Sequence, residues 1–204
     1  MTHLFRAVPL LLLVSACADV EENDHDHHDH EHEVMTTVVM TFTSLEDDSV
    51  VEYVWADPEN DGSPVIDDVV LLDATTYDMS VSFLNELEDP AEDITPEIYD
   101  ESDEHQVFLT GSAVQGPATG SNADAILEHA YADEDDDGLV VGLDNTITTL
   151  AVGSGELTVT LRHMPPESDQ AVKVDGLAED VAAGGFSAIG GANDVQVTFN
   201  TVVE

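Results

Sequence analysis

Apolar side chains recur at every second position through much of the chain: Val38, Met40 and Phe42; Val51, Tyr53 and Trp55; Met79, Val81 and Phe83; Val107 and Leu109; Leu157, Val159 and Leu161; Val195, Val197 and Phe199. Period two is the signature of strands with one dry and one wet face. The pattern runs from Val34 to Glu204, long enough for one domain with a substantial core. One helical turn interrupts it. Thr95 is expected to cap it, Pro96 suits its first position and Glu97, Asp100 and Glu101 suit its positive end, so a short helix is expected from 96 to about 103. The stretch from Pro165 to Ala192, with Gly184-Gly185 and Gly190-Gly191, reads as a long loop region with room for another short helix.

The chain also repeats itself. Glu52-Tyr53-Val54-Trp55-Ala56-Asp57-Pro58-Glu59-Asn60-Asp61-Gly62, with Asp68 following, matches Glu128-His129-Ala130-Tyr131-Ala132-Asp133-Glu134-Asp135-Asp136-Asp137-Gly138, with Asp144 following. Downstream, Asp78-Met79-Ser80-Val81-Ser82-Phe83-Leu84 resembles Glu156-Leu157-Thr158-Val159-Thr160-Leu161-Arg162. Units of about 35–87 and 104–164 are therefore expected, and with them an all-β fold: a single antiparallel, Ig-like β-sandwich of two related halves joined by the short helix.

Charge narrows the partners. Asp and Glu number 45 against 3 Lys plus Arg, a formal net charge of -42. Beyond the first 17 residues only Arg162 and Lys173 are cationic. Nucleic acid and anionic lipid surfaces both need clustered Lys and Arg, so they are excluded as partners. Such a surface attracts cations and repels copies of itself, which favours a monomer; it also suits a salty medium.

At the amino end, Arg6, the apolar run through Val14 and the small residues before Cys17 read as a lipoprotein signal over 1–17, with Cys17 the lipidated residue. The run is too short to span a bilayer. The expectation is an envelope protein held on a membrane through acyl chains on Cys17. Ala18 after Cys17 favours the outer membrane over the inner. With Cys17 the sole cysteine, no disulfide is available. Residues 18–33 read as a disordered tether in which His25, His27, His28, His30 and His32 alternate with acids, a composition that suits zinc or copper.

Two acidic turns are the calcium candidates. Asp133, Asp135, Asp137, the Leu139 carbonyl and Asp144 follow EF-hand loop spacing with Asp in place of the terminal Glu; Asp57, Glu59, Asp61, the Ser63 carbonyl and Asp68 repeat it. Strand formers flank both, so a hairpin or corner loop is expected rather than a helix pair. Asp-Gly turns also occur without any metal. By parity His105 shares a face with Val107 and Leu109, and His163 with Leu157, Val159 and Leu161, which turns both imidazoles inward near strand ends. With Glu104 and Arg162 beside them they form a candidate metal or ligand pocket; buried, hydrogen-bonded core histidines are the other reading.

The chain has no Gly-x-Ser-x-Gly elbow, no His-Glu-x-x-His, no phosphate-cradling Gly loop and no catalytic thiol, so no enzyme is expected. Binding of divalent cations is the expected function. An adhesion or ligand-recognition module, and a metal-dependent hydrolase at His105 and His163, are the alternatives.

Several segments taken together, among them Glu92-Asp93-Ile94-Thr95-Pro96-Glu97-Ile98, Glu104-His105-Gln106-Val107-Phe108, Gly153-Ser154-Gly155-Glu156-Leu157-Thr158-Val159-Thr160-Leu161-Arg162-His163 and Asn193-Asp194-Val195-Gln196-Val197-Thr198-Phe199, resemble uncharacterised lipoproteins of Bacteroidetes-type bacteria. Members are sometimes labelled type 1 periplasmic-binding-fold proteins. That label implies a doubly wound α/β domain, against which the strand-rich pattern here argues. The resemblance implies no catalytic residue.

Overall fold

The computed structural model describes residues 34–168 and 170–204. In chain order they form β1 (Thr37–Ser44), β2 (Val50–Ala56), β3 (Val65–Ile66), β4 (Val69–Leu71), β5 (Thr76–Asn85), β6 (Glu92–Asp93), α1 (Thr95–Asp100), β7 (His105–Thr110), β8 (Val114–Gln115), β9 (Leu127–Tyr131), β10 (Asp144–Thr149), β11 (Gly153–His163), α2 (Leu177–Gly184) and β12 (Ala192–Val203). The protein is predominantly β, with two sheets. One has the order β3-β2-β1-β5-β10-β9-β8, with β6 also on β5; the other is β4-β12-β11-β7.

Alternation explains how the sheets meet. Along β5 and β12 every second residue is buried, and Met40, Phe42, Met79, Phe83 and Ile147 of the larger sheet join Leu109, Leu157, Val159, Val197 and Phe199 of the smaller in one apolar cluster. Each such side chain contributes about 1.5–3 kcal/mol when removed from water. β2 lies nearer the rim: Val51 is exposed, while Tyr53 and Trp55 are partly buried against the core.

A second cluster covers the outer face of β7. Phe108 packs with Ala118, Met164, Leu177, Ala178 and Val181, which is why β7 is buried on both faces. The helix that supplies this cover is α2, within the long loop region, and its apolar positions follow helical spacing.

Three expectations change. Thr95 does not cap α1: Ile94 is the N-cap, without a side-chain bond, because the Thr95 hydroxyl is drawn to β5, accepting Phe83 N–H at 3.0 Å. Pairing is not wholly antiparallel, since β4 lies parallel to β12 and β8 parallel to β9. Nor are the halves equivalent in topology. β5 and β11, which the repeat equates, belong to different sheets, and the chain after the first acidic turn crosses to the smaller sheet through β4 whereas after the second it stays in the larger through β10. The likeness is confined to the turns, where the same Asp chemistry serves two unrelated connections.

Candidate metal centre

The described carboxylates and imidazoles converge at one point. α1 is closed at Glu101, whose N–H donates to the Glu97 carbonyl at 2.9 Å, while Ser102 N–H donates to the Tyr99 carbonyl at 3.2 Å; Glu104 N–H then donates to the Glu101 carbonyl at 2.9 Å, and β7 begins at His105. Antiparallel pairing sets His105 directly opposite His163 at the end of β11. The rings stack at 4.5 Å between centroids, 10° from parallel. Both are buried, at 1% and 8% exposure.

Each ring has a carboxylate on Nε2. Glu104 Oε2 lies 3.3 Å from His163 Nε2, and Asp194 Oδ2 lies 3.6 Å from His105 Nε2. Asp194 reaches this position through a β-bulge. β11 steps from Leu161 to Arg162 while its partner steps from Val195 to Asn193, so Asp194 is the extra residue, and bulges characteristically re-aim a side chain. On the other edge of the ring, His105 Nδ1 lies 3.1 Å from the Glu101 carbonyl oxygen. Both His105 nitrogens therefore face oxygen acceptors, whereas a neutral imidazole carries one N–H. A positive ion at the ring, a second proton or a metal, would suit both oxygens at once.

Donor atoms of Glu101, His105 and His163 lie within 4.8 Å of one another, and among the described residues no other His, Cys, Asp and Glu side chains form a group of three. Two imidazoles and a carboxylate at this separation are a donor set for zinc and its neighbours. Arg162 does not share the site: its guanidinium donates to the carbonyls of Gly190 and Ile189 and to Asn193 Oδ1 and lies over the Phe186 ring. Burial pushes its pKa down, and the Asp194 charge opposes that.

The acidic turns close on themselves. In the first, Asp57 accepts Asp61 and Gly62 N–H at 3.1 and 2.8 Å, and Asp61 accepts Ser63 N–H at 2.9 Å. Glu59 and Ser63 are exposed, and Asp68 accepts from the Asn200 amide on β12. In the second, Asp133 accepts Gly142, Leu143 and Asp144 N–H. Asp135 accepts Asp137 and Leu139 N–H, and the Leu139 carbonyl accepts Asp135 N–H at 2.8 Å. Asp137 is exposed, and Asp144 opens β10.

The second turn already holds a cation. Lys173 Nζ, on a side chain with no exposed surface, donates to Asp135 Oδ2 at 2.7 Å and to the Ser102 carbonyl at 2.6 Å. For Asp135, burial pushes its pKa up, but Lys173 and the two N–H donors outweigh it and the net direction is down. Asp144, by contrast, is pushed up, by burial first and then by Asp133 and Asp78. Among the described residues no three carboxylates of these turns lie together as a donor group; Asp side chains spaced by two close locally on backbone N–H groups instead.

Sequence reasoning placed His105 and His163 on the inner face, where they are, but did not reach Glu101, Asp194 or Lys173. Glu101 carried a signal, four residues before His105. Asp194 carried none, since alternation from Val195 assigns it to the wet face. Cys17 and the five tether histidines lie outside the described residues. The chain matches no protein-family model, no curated protein and no solved structure.

Proposed function

We propose that this chain is a non-catalytic, metal-binding protein of the cell envelope, anchored through Cys17, and that Glu101, His105 and His163 hold one divalent ion. The observation that carries the reading is the His105 imidazole with oxygen on both nitrogens, stacked on a second imidazole and within 4.8 Å of a carboxylate donor. The depth of the pair supports a storage or structural role over turnover of a substrate, as does the lack of any nucleophile motif. The tether histidines are a second, looser metal site in this reading, and the two sheets with their shared core are taken as a single sandwich of Ig-like kind.

The test uses the full chain in detergent with His25, His27, His28, His30 and His32 changed to Asn, so that only the folded site reports. One equivalent of zinc is expected to bind saturably, and H163Q with E101Q is expected to abolish it while far-UV circular dichroism is retained. Absence of saturable binding in the parent overturns the metal site. Loss of palmitate labelling in C17S tests the anchor separately.

A further inference from the structure

Resting on that metal reading, we propose that Asp194 and Glu104 are positioning residues that hold the two imidazoles by their Nε2 edges. This turns the Nδ1 edge of His105 toward Glu101 and the ion, and makes the site one for a zinc-class transition dication rather than calcium.

Four observations carry this. First, the carboxylates approach corresponding atoms: Glu104 Oε2 is hydrogen-bonded to His163 Nε2 at 3.3 Å, and Asp194 Oδ2 lies 3.6 Å from His105 Nε2, beyond hydrogen-bond range but close in charge. Second, the rings lie 10° from parallel, so two carboxylates on Nε2 edges fix the pair as one unit. Third, neither Asp194 nor Glu104 belongs to the three-residue donor group, whereas Glu101 does, and the His105 atom nearest the Glu101 carbonyl is Nδ1. Fourth, the Asp194 side chain is 2% exposed at the cost of a break in the β11–β12 register, a distortion that brings a charge to the histidine.

The chemistry follows from these contacts. A carboxylate against Nε2 favours the proton on that nitrogen, through a hydrogen bond between His163 and Glu104 and through charge alone at the longer Asp194–His105 approach, and this makes the opposite nitrogen a stronger ligand, the usual support for metal-bound histidine. Two such nitrogens with one carboxylate, and the Glu101 carbonyl close by, suit an ion content with four ligands. Calcium takes six to eight oxygens, and this corner does not offer them.

The experiment uses the full chain with the tether histidines changed to Asn. Zinc affinity is read by competition with a chromophoric chelator, and geometry by the visible spectrum of bound cobalt. D194N and E104Q are each expected to weaken zinc by about 10-fold or more and to shift the cobalt bands; D194E restores part of both, and excess calcium displaces neither ion. Equal zinc affinity with an unchanged cobalt spectrum in D194N and E104Q overturns the positioning role while leaving the metal site standing. Displacement by calcium overturns the ion class. A parent that binds no zinc removes the metal reading and this one with it. Circular dichroism of the metal-free variants checks folding; should D194N fail to fold, E104Q, at the more exposed carboxylate, decides the same question.

Discussion

The histidine corner and the acidic turns are both rich in negative oxygens, yet they stand opposite in what they lack. In the turns every central carboxylate has a donor: Asp57 and Asp133 accept two and three backbone N–H groups, and Asp135 adds the Lys173 ammonium. At the corner the polarity is reversed, with His105 facing oxygen on both sides. Charge density alone does not set the two regions apart; the groups around it do, N–H and ammonium donors in the turns and oxygen acceptors at the His105 ring.

The largest expected effect comes from the cation inside the second turn. K173M leaves Asp135 and the Ser102 carbonyl buried without their partner, and breaking such a pair costs about 3–5 kcal/mol. Urea unfolding of the parent and K173M measures it. A loss below about 1 kcal/mol would show that the turn does not depend on its internal ammonium, and the contrast with the histidine corner would weaken accordingly.

His129 provides a control within the same fold. It is 2% exposed, bonded through Nε2 to Asn145 Oδ1 at 2.8 Å, and edge-on to Tyr131. Burial pushes its pKa down to about 4 from 6.5, with the Asn145 bond opposing. The unfolded chain therefore takes up this proton more readily. The stability is fully present above pH 6.5 and is lost as pH falls from there toward 4, by about 3 kcal/mol in all. Replacing His129 by Gln should remove that part of the acid limb in denaturant titrations at pH 7.5 and 5. An unchanged limb would mean that the ring is not neutral, and that burial beside an amide does not separate it from the pair at the corner.

How far these regions could be read in advance depends on the range of the forces that form them. Period two put His105 and His163 on the dry face, because strand parity is local and unbroken through β7 and most of β11. Asp194 follows the same rule to the wrong face, since a bulge is a property of two strands in register and one strand does not record it. The acidic turns misled for the converse reason. Their spacing is local and correct, but what fills them comes from far along the chain: Lys173 is 38 residues from Asp135 and 71 from Ser102. The predominantly β character was legible from alternation, while the assignment of β4 and β5 to different sheets rests on long-range packing that the repeated turn sequence does not encode.

A smaller effect is expected at the Asp133 hub. D133A removes the acceptor for Gly142, Leu143 and Asp144 N–H and should cost about 2 kcal/mol, whereas D133N, which keeps one oxygen, should cost less. Gly142 has a φ of +84°, and a Cβ there would meet the Val107 carbonyl oxygen at 2.6 Å, so the backbone that Asp133 gathers has little freedom to move. Thermal melts of the two variants rank the bonds. Equal losses would assign the effect to the charge and not to the number of N–H groups held.

The smallest expected effect is the response to calcium. For the second turn to bind it, Asp135 would exchange a buried ammonium and two N–H donors for the ion, and the Leu139 carbonyl would release Asp135 N–H. The first turn would give up the two bonds that Asp57 makes. Each exchange trades satisfied hydrogen bonds for coordination that costs the ion its water, so calcium should raise the melting temperature no more than magnesium at equal ionic strength, a difference within about 1 °C. General screening of a chain at net charge -42 stabilises equally with either ion and is removed by that comparison. K173M sharpens the measurement, because it empties the place of the internal cation: a calcium-specific rise in the variant alone would show that lysine and metal compete for one position. A saturable, calcium-specific rise of several degrees in the parent would show instead that the turns rearrange around an ion, and that their self-bonded state is only the form they take without it.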